Sequence, residues 1–273
     1  MSHLRNFPCL SLGEEGAIAH QCGDPQWGSG RPVVIENDEL ISLYFDPTGI
    51  QSAMLVADPY ALALGYTRTM AGFFLFQPSP RRISMIGLGG GSLAKYCHRH
   101  APLTRIVVVE INHEIIALRH RFFIPPDDER FSIVYGNGAS YMKRRDERPD
   151  VILVDGFTAD GQALELADVG FYADAHARLS DDGIFVTNLI TDDWNFCENL
   201  IAMKRVFGER LALARSEDSP LNVTVFGWKD KRTVASVEWL RQRAIRLSSS
   251  HPIDFHETVK RIEYGKAFEW SLF

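Results

Sequence analysis

Two periodicities take turns along this chain. Short apolar runs with strand character fall at Ile83–Ile86, Thr104–Glu110, Phe131–Tyr135, Val151–Asp155 and Gly183–Asn188. Between them, apolar residues recur at helical spacing: after the glycines that follow Ile86, over Asn112–Phe123, briefly after Gly136, through Phe171 and Tyr172, and near Trp194–Val206. Strands alternating with helices predict crossover units and therefore a parallel sheet covered on both faces. Two further strand-like runs, Leu211–Ala214 and Asn222–Gly227, stand close enough in sequence to pair antiparallel.

The front of the chain reads differently. Residues 1–30 are glycine-rich and weakly periodic, and Pro32–Glu36 and Leu40–Asp46 read as short strands broken by turn residues. From Ala61 to Phe76 the spacing turns helical, until Pro78 and Pro80 punctuate the approach to the first long strand. The pattern divides the chain into an N-terminal β region with a connecting helix (1–80), a Rossmann-like domain (81–235) and a C-terminal helical extension (236–273). The expected fold is α/β: a doubly wound, mostly parallel sheet of the kind found in S-adenosylmethionine-dependent methyltransferases, where a terminal antiparallel pair is usual.

Composition narrows the class. With 273 residues, 45% of them hydrophobic and 23% charged, the chain can bury one large core and a smaller appendage. A net charge of −6 argues against a dedicated nucleic-acid binder, and the basic residues from Lys229 to Arg246 read as a solvated helix face. Cys9, Cys22, Cys97 and Cys197 lack CxxC spacing, so neither a zinc site nor a disulfide framework is expected, which fits a cytoplasmic protein. No apolar leader or membrane-length run is evident, and membrane partners are not expected.

Candidate chemistry gathers at the carboxyl ends of the parallel strands, where open sheets of this class bind ligands. Gly87, Gly89, Gly90 and Gly91 form a strand-to-helix turn that lets main chain approach a ligand and leaves a helix N-terminus free. Glu110 closes the next strand and suits a ribose diol, so the pair points to a nucleoside. Asp155 closes an apolar strand on the same edge and is a candidate base for an attacking amine, which is protonated at neutral pH until relieved. Taken alone, Asp155 is as well explained by a turn or cap, and Asp160-Gly161 reads as a turn pair. His98 with His100, and His113 with His120, have no third ligand at helical spacing; they read as surface histidines and no metal is expected.

With these motifs in place, the chain resembles the spermidine synthase (polyamine aminopropyltransferase) family over about Leu40–Trp228. The resemblance rests on Phe45-Asp46 with Ile50-Gln51, Tyr66-Thr-Arg-Thr-Met70, the Gly-Leu-Gly-Gly-Gly loop, Val109-Glu110-Ile111, and Asp155 followed by Phe171-Tyr172. It implies polyamine biosynthesis, Gln51 and Glu110 on the nucleoside donor, Asn137 at adenine and Asp155 as base, with Tyr66 and Asp160 next in line. It places Thr158, Asp160 and Tyr66 on the acceptor side, and implies oligomer contacts in the β region, hence a homodimer or larger homo-oligomer.

Three family acids are replaced by neutral residues. Gly90 stands where an aspartate grips the ammonium of decarboxylated S-adenosylmethionine, Asn137 where an acid meets adenine, and Thr158 where an acid holds the acceptor. An aspartate about 4 Å from the donor tail would favour an ammonium, and repel a carboxylate, by up to about 4 kcal/mol at an effective dielectric near 20. Gly90 supplies neither effect and is expected to leave more room. The expectation is therefore a transferase moving an alkyl group, aminopropyl ahead of methyl, from decarboxylated or intact S-adenosylmethionine to a small amine. A catalytically silent nucleoside-binding protein is the rival from another class, and an NAD-dependent dehydrogenase is disfavoured.

Overall fold

A computed structural model describes residues 30–47, 49–158, 161–230 and 236–264. The front of the chain is a meander of three antiparallel strands, β1 (Val33–Glu36), β2 (Leu40–Tyr44) and β3 (Ile50–Leu55). The third strand escapes a sequence reading because Gln51, Ser52 and Ala53 interrupt its apolar pattern; Ser52, Ala53 and Met54 are nevertheless buried. The helix expected over Ala61–Phe76 is shorter, α1 (Gly65–Met70), and tightens into a 3-10 turn over Ala71–Leu75 whose residues are all buried.

The main sheet follows the expected order of elements. It is built from β4 (Arg82–Ile86), α2 (Ser92–His100), β5 (Arg105–Glu110), α3 (His113–Ala117), β6 (Phe131–Tyr135), α4 (Gly138–Met142) and β7 (Val151–Val154). A two-strand hairpin follows, β8 (Phe157–Thr158) and β9 (Gly161–Gln162). Next come α5 (Val169–Arg178), β10 (Ile184–Ile190), α6 (Phe196–Phe207), β11 (Leu211–Arg215) and β12 (Asn222–Trp228). The chain continues through α7 (Val237–Leu247), α8 (Phe255–Arg261) and β13 (Ile262–Tyr264). Across the sheet the strands lie in the order β13-β11-β12-β10-β7-β4-β5-β6. The five from β10 to β6 are mutually parallel, and β12 runs antiparallel to both its neighbours. Strand order reverses between β4 and β7, and a crevice opens there at the carboxyl edge, as the geometry of open α/β sheets requires.

Each face of the sheet buries its own core. Ile83, Met85, Ile106 and Val108 meet Tyr96, Phe73, Phe74 and the C-terminal helices on one side; Ile152, Val154 and Phe185 meet Tyr172, Leu200 and Met203 on the other. The C-terminal segment does more than extend as helices: Leu240, Leu247, Phe255 and Val259 join the first core, and β13 pairs with β11 at the sheet edge. His251 sits there too, its Nδ1 2.8 Å from the Tyr96 hydroxyl, and burial lowers its pKa to about 4. His98 and His100 are half-buried in packing contacts, while His113 and His120 are exposed. After α4 the chain becomes exposed only from Lys143, because Tyr141 and Met142 are buried beneath α5. Among the described residues no helix is long and apolar enough to cross a membrane, and no group of three or more acidic, histidine or cysteine side chains could hold a metal.

Candidate active site

The glycine turn is shaped by how close strands β4 and β7 lie. Gly87 has φ +93°, and a Cβ there would come within 2.2 Å of the Asp155 carbonyl oxygen, so no other residue fits without moving main chain. The turn is also bonded from the next strand: Leu88 N donates to Glu110 Oε2 and Asn112 N to Glu110 Oε1, both at 2.8 Å. Each carboxylate oxygen keeps a further lone pair for a ligand. Glu110, buried at the crevice wall, thus fixes the turn at the same time as it faces the crevice. The room expected beside Gly90 is already filled. A Cβ there would lie 2.7 Å from Ser52 Oγ and 2.8 Å from Phe122 Cδ1, and Phe122 is fully buried.

Asp155 follows β7, with its main-chain N–H donating to Ile86 O at 2.9 Å. Its side chain is half-buried on the crevice floor. Asn188 Nδ2 donates to Asp155 Oδ1 at 3.3 Å, and Asn222 Nδ2 donates to Asn188 Oδ1 at 3.2 Å, so a relay from β12 through β10 sets which end of Asn188 meets the carboxyl. Burial pushes the Asp155 pKa up to about 6, against the Asn188 hydrogen bond and the neighbouring Tyr66 hydroxyl, which favour its ionised form. The Tyr66 hydroxyl donates to Gln51 O at 3.2 Å and lies beside the Asp155 carboxyl; burial, then the Asp155 charge, raise the Tyr66 pKa well above its ordinary value. Gln51 therefore enters this cluster through its main-chain carbonyl. A neutral tyrosine beside a carboxyl of pKa near 6 forms a proton-accepting site that works near neutral pH.

Asn137 Oδ1 caps α4 by accepting from Ser140 N at 2.8 Å, and its Nδ2 donates to Glu165 on the turn Leu164–Leu166. Thr158 takes part in the β8–β9 hairpin through its main chain; its side chain and Asp160 lie outside the described residues. Sequence reasoning missed a second group at the crevice wall. Asp218 Oδ2 accepts from Gly65 N at 2.6 Å, Arg68 pairs with Glu217 and lies 3.7 Å from Asp218, and the Arg68 guanidinium also binds Leu62 O and Ala63 O at 2.7 and 2.8 Å. Nothing local marks these partners, which are some 150 residues apart. Asn188 left a fainter signal: an amide inside an otherwise apolar run.

Together these residues line one crevice of about 1950 Å³, with Gly87–Gly89, Glu110 and Asn137 toward β5 and Tyr66, Asp155, Asn188 and Asp218 toward β10. Such a volume is large enough for two small molecules side by side. Fold and site together give a doubly wound α/β protein whose glycine turn and carboxyl–tyrosine pair share one crevice at the carboxyl edge of the sheet. Residues 63–209 match the spermine/spermidine synthase domain. A polyamine aminopropyltransferase from Neisseria meningitidis serogroup A is 36% identical over 85% of this chain and 89% of its own length. Another, from Chromobacterium violaceum, is 34% identical over 84% of this chain and 88% of its own. In fold, the chain is similar to a probable spermidine synthase from Corynebacterium glutamicum, with TM-score 0.65 and 21% identity over 78% of this chain and 83% of that one. The chain belongs to the spermine/spermidine synthase family. It is accordingly a transferase and not a dehydrogenase.

Proposed function

We propose that the protein transfers an aminopropyl group from decarboxylated S-adenosylmethionine to a small amine. The observation that carries this reading is the Asp155–Tyr66 pair, set in the same crevice as the Glu110-bonded glycine turn. In this reading Glu110 holds the ribose diol and the glycine turn lets the donor lie against main chain. Asp155 takes a proton from the acceptor ammonium, a step favoured by its raised pKa. The freed nitrogen lone pair then forms a bond to the propyl carbon, the carbon–sulfur bond breaks, and its electron pair stays on sulfur to give neutral 5′-methylthioadenosine. Alignment of nitrogen, carbon and sulfur is supplied by the shared crevice. The polyamine aminopropyltransferase relatives support aminopropyl over methyl as the group moved.

One observation favours a second reading: with Gly90 in the turn, no carboxylate stands there to distinguish the donor's ammonium tail from an intact amino-acid tail. Methyl transfer from S-adenosylmethionine is that alternative. The two separate by product. Incubation with each donor and a panel of small amines, followed by chromatography, should release 5′-methylthioadenosine from the decarboxylated donor. Release of S-adenosylhomocysteine from the intact donor instead would replace aminopropyl with methyl transfer.

A further inference from the structure

We infer that Glu165 reads the purine ring of the bound nucleoside, accepting the exocyclic amino group of adenine beside a ring-nitrogen contact from Asn137. The inference rests on the nucleoside-donor reading and adds a residue that sequence reasoning had not connected with the donor.

It begins with the orientation of an amide. A main-chain N–H can only donate, so the Asn137 atom that accepts from Ser140 N at 2.8 Å is the oxygen. The amide nitrogen consequently turns away from α4, and one of its two hydrogens goes to Glu165 Oε2. That leaves a second N–H on Asn137 and the other oxygen of Glu165, with no cation paired to that carboxylate among the described residues. Both side chains line the crevice, on the side of Glu110 and Gly136.

The turn that carries Glu165 is fixed to the crevice floor. Leu166 is buried, its N–H donates to Ala163 O at 2.8 Å, and Ala163 N donates to Gly156 O at 3.1 Å. A Cβ on Gly156 would lie 2.4 Å from Leu166 Cδ1, so Leu166 sits directly over the residue after Asp155. Ile111, next to Glu110 in sequence, and Leu164, next to Glu165, line the same crevice with 59% and 63% of their surface exposed. Large apolar side chains left open at a crevice wall suit a flat ring.

A donor beside an acceptor is the complement of one particular purine edge. Adenine offers an acceptor at N1 and a donor at its amino group. Hypoxanthine offers a donor at N1 and an acceptor at O6, so it would set N–H against N–H and oxygen against carboxylate. Neutral Asn137 thereby hands the charged part of base recognition to a residue on a different loop.

The test is titration calorimetry of the full chain with 5′-methylthioadenosine and 5′-methylthioinosine. The parent protein should prefer the adenine nucleoside by about ten- to hundredfold, the value of a hydrogen bond to a charged group. Glu165→Ala should reduce that ratio about tenfold or more by weakening the adenine nucleoside alone, and Glu165→Gln, which keeps one acceptor oxygen, should restore part of it. Glu110→Gln should weaken both nucleosides by the same factor and keep the ratio. A ratio unchanged in Glu165→Ala, or a parent that binds both nucleosides equally, overturns the assignment and leaves the donor reading standing. If the parent binds neither, both fall. Should Glu165→Ala fail to fold, Glu165→Gln carries the same readout, and an unaltered ratio there overturns the assignment equally.

Discussion

The two ends of the crevice are built in opposite ways. The donor end is centred on one βαβ unit: the turn from Gly87, the carboxylate of Glu110 and the N–H groups of Leu88 and Asn112 lie within about two dozen residues and are joined by main-chain N–H groups donating to that one carboxylate. The acceptor end is assembled from afar. Tyr66, Asp155, Asn188 and the Asp218–Asn222 turn come from four separate segments, and most of their contacts are between side chains or across more than thirty positions. A site made of main chain and one short loop tolerates little change without losing its shape. A site made of distant side chains can be altered one member at a time. The three replaced family acids fall at both ends: Gly90 lies in the turn itself and Asn137 beside it, while Thr158 belongs to the acceptor side.

Experiments can press on that contrast, beginning with the largest effect. Asp155→Asn should lower turnover by about 10²–10⁴-fold while leaving donor affinity nearly unchanged, because it removes the proton acceptor and no donor contact. Steady-state rates and calorimetry on the same variant check it, and loss of donor binding would erase the division between the two ends. The same carboxyl sets a pH dependence. Its folded pKa is about 6, raised from its ordinary 3.8, so kcat/KM should fall below pH 6 as the base becomes protonated. The stability it contributes is present below pH 4 and is lost as pH rises through 6. Asp155→Asn should therefore raise Tm at pH 7.5, by about 2–4 °C for each kcal/mol recovered, and leave Tm at pH 4 nearly unchanged.

Glu110→Gln comes next. An amide can accept at one end only, so one of the two N–H groups from Leu88 and Asn112 would face another N–H. Nucleoside affinity should drop by about 1.5–3 kcal/mol, measured by calorimetry, and the amides of Leu88 and Asn112 should exchange faster. Unchanged affinity in a folded variant would detach Glu110 from the donor. Gly90→Ala sharpens the same end. The added methyl meets Phe122 and Ser52, and a stability loss of about 1–3 kcal/mol in urea unfolding is expected from overpacking. The smallest effect is Asp218→Ala, which releases the N–H of Gly65 at the start of α1. Stability should fall by about 0.5–2 kcal/mol, with KM for the amine rising more than KM for the donor.

The same contrast governs what the amino-acid sequence discloses. Alternating runs revealed the parallel strands from β4 to β10 almost to the residue, and the glycines with Glu110 announced a nucleoside, since those features are local and periodic. The third front strand stays hidden because its buried positions include Ser52 and Ala53 in place of branched apolar residues. The helix near Ala61 is shorter than its apolar spacing suggests, because Arg68 takes the carbonyls of Leu62 and Ala63 that a longer helix would use. Gly90 suggested space, but the side chain that fills it comes from a turn thirty residues downstream. Glu165 and Asp218 carried no motif at all; only folding brings them to the crevice.

The position of β12 bears on how the chain is made. This strand is inserted between β10 and β11 although it follows both in sequence. While the polypeptide emerges from its N-terminus, Ile184–Ile190 can already add to β7, yet its other edge waits, unpaired, for residues Asn222–Trp228. That edge is an almost wholly apolar strand, the kind that recruits foreign strands when left open. The growing chain thus passes through an interval, some thirty to forty residues of synthesis long, in which the sheet is vulnerable to aggregation and a chaperone has its clearest target. A chain truncated at Ser219 should be held in that exposed state, whereas one that includes Trp228 can close the sheet over it.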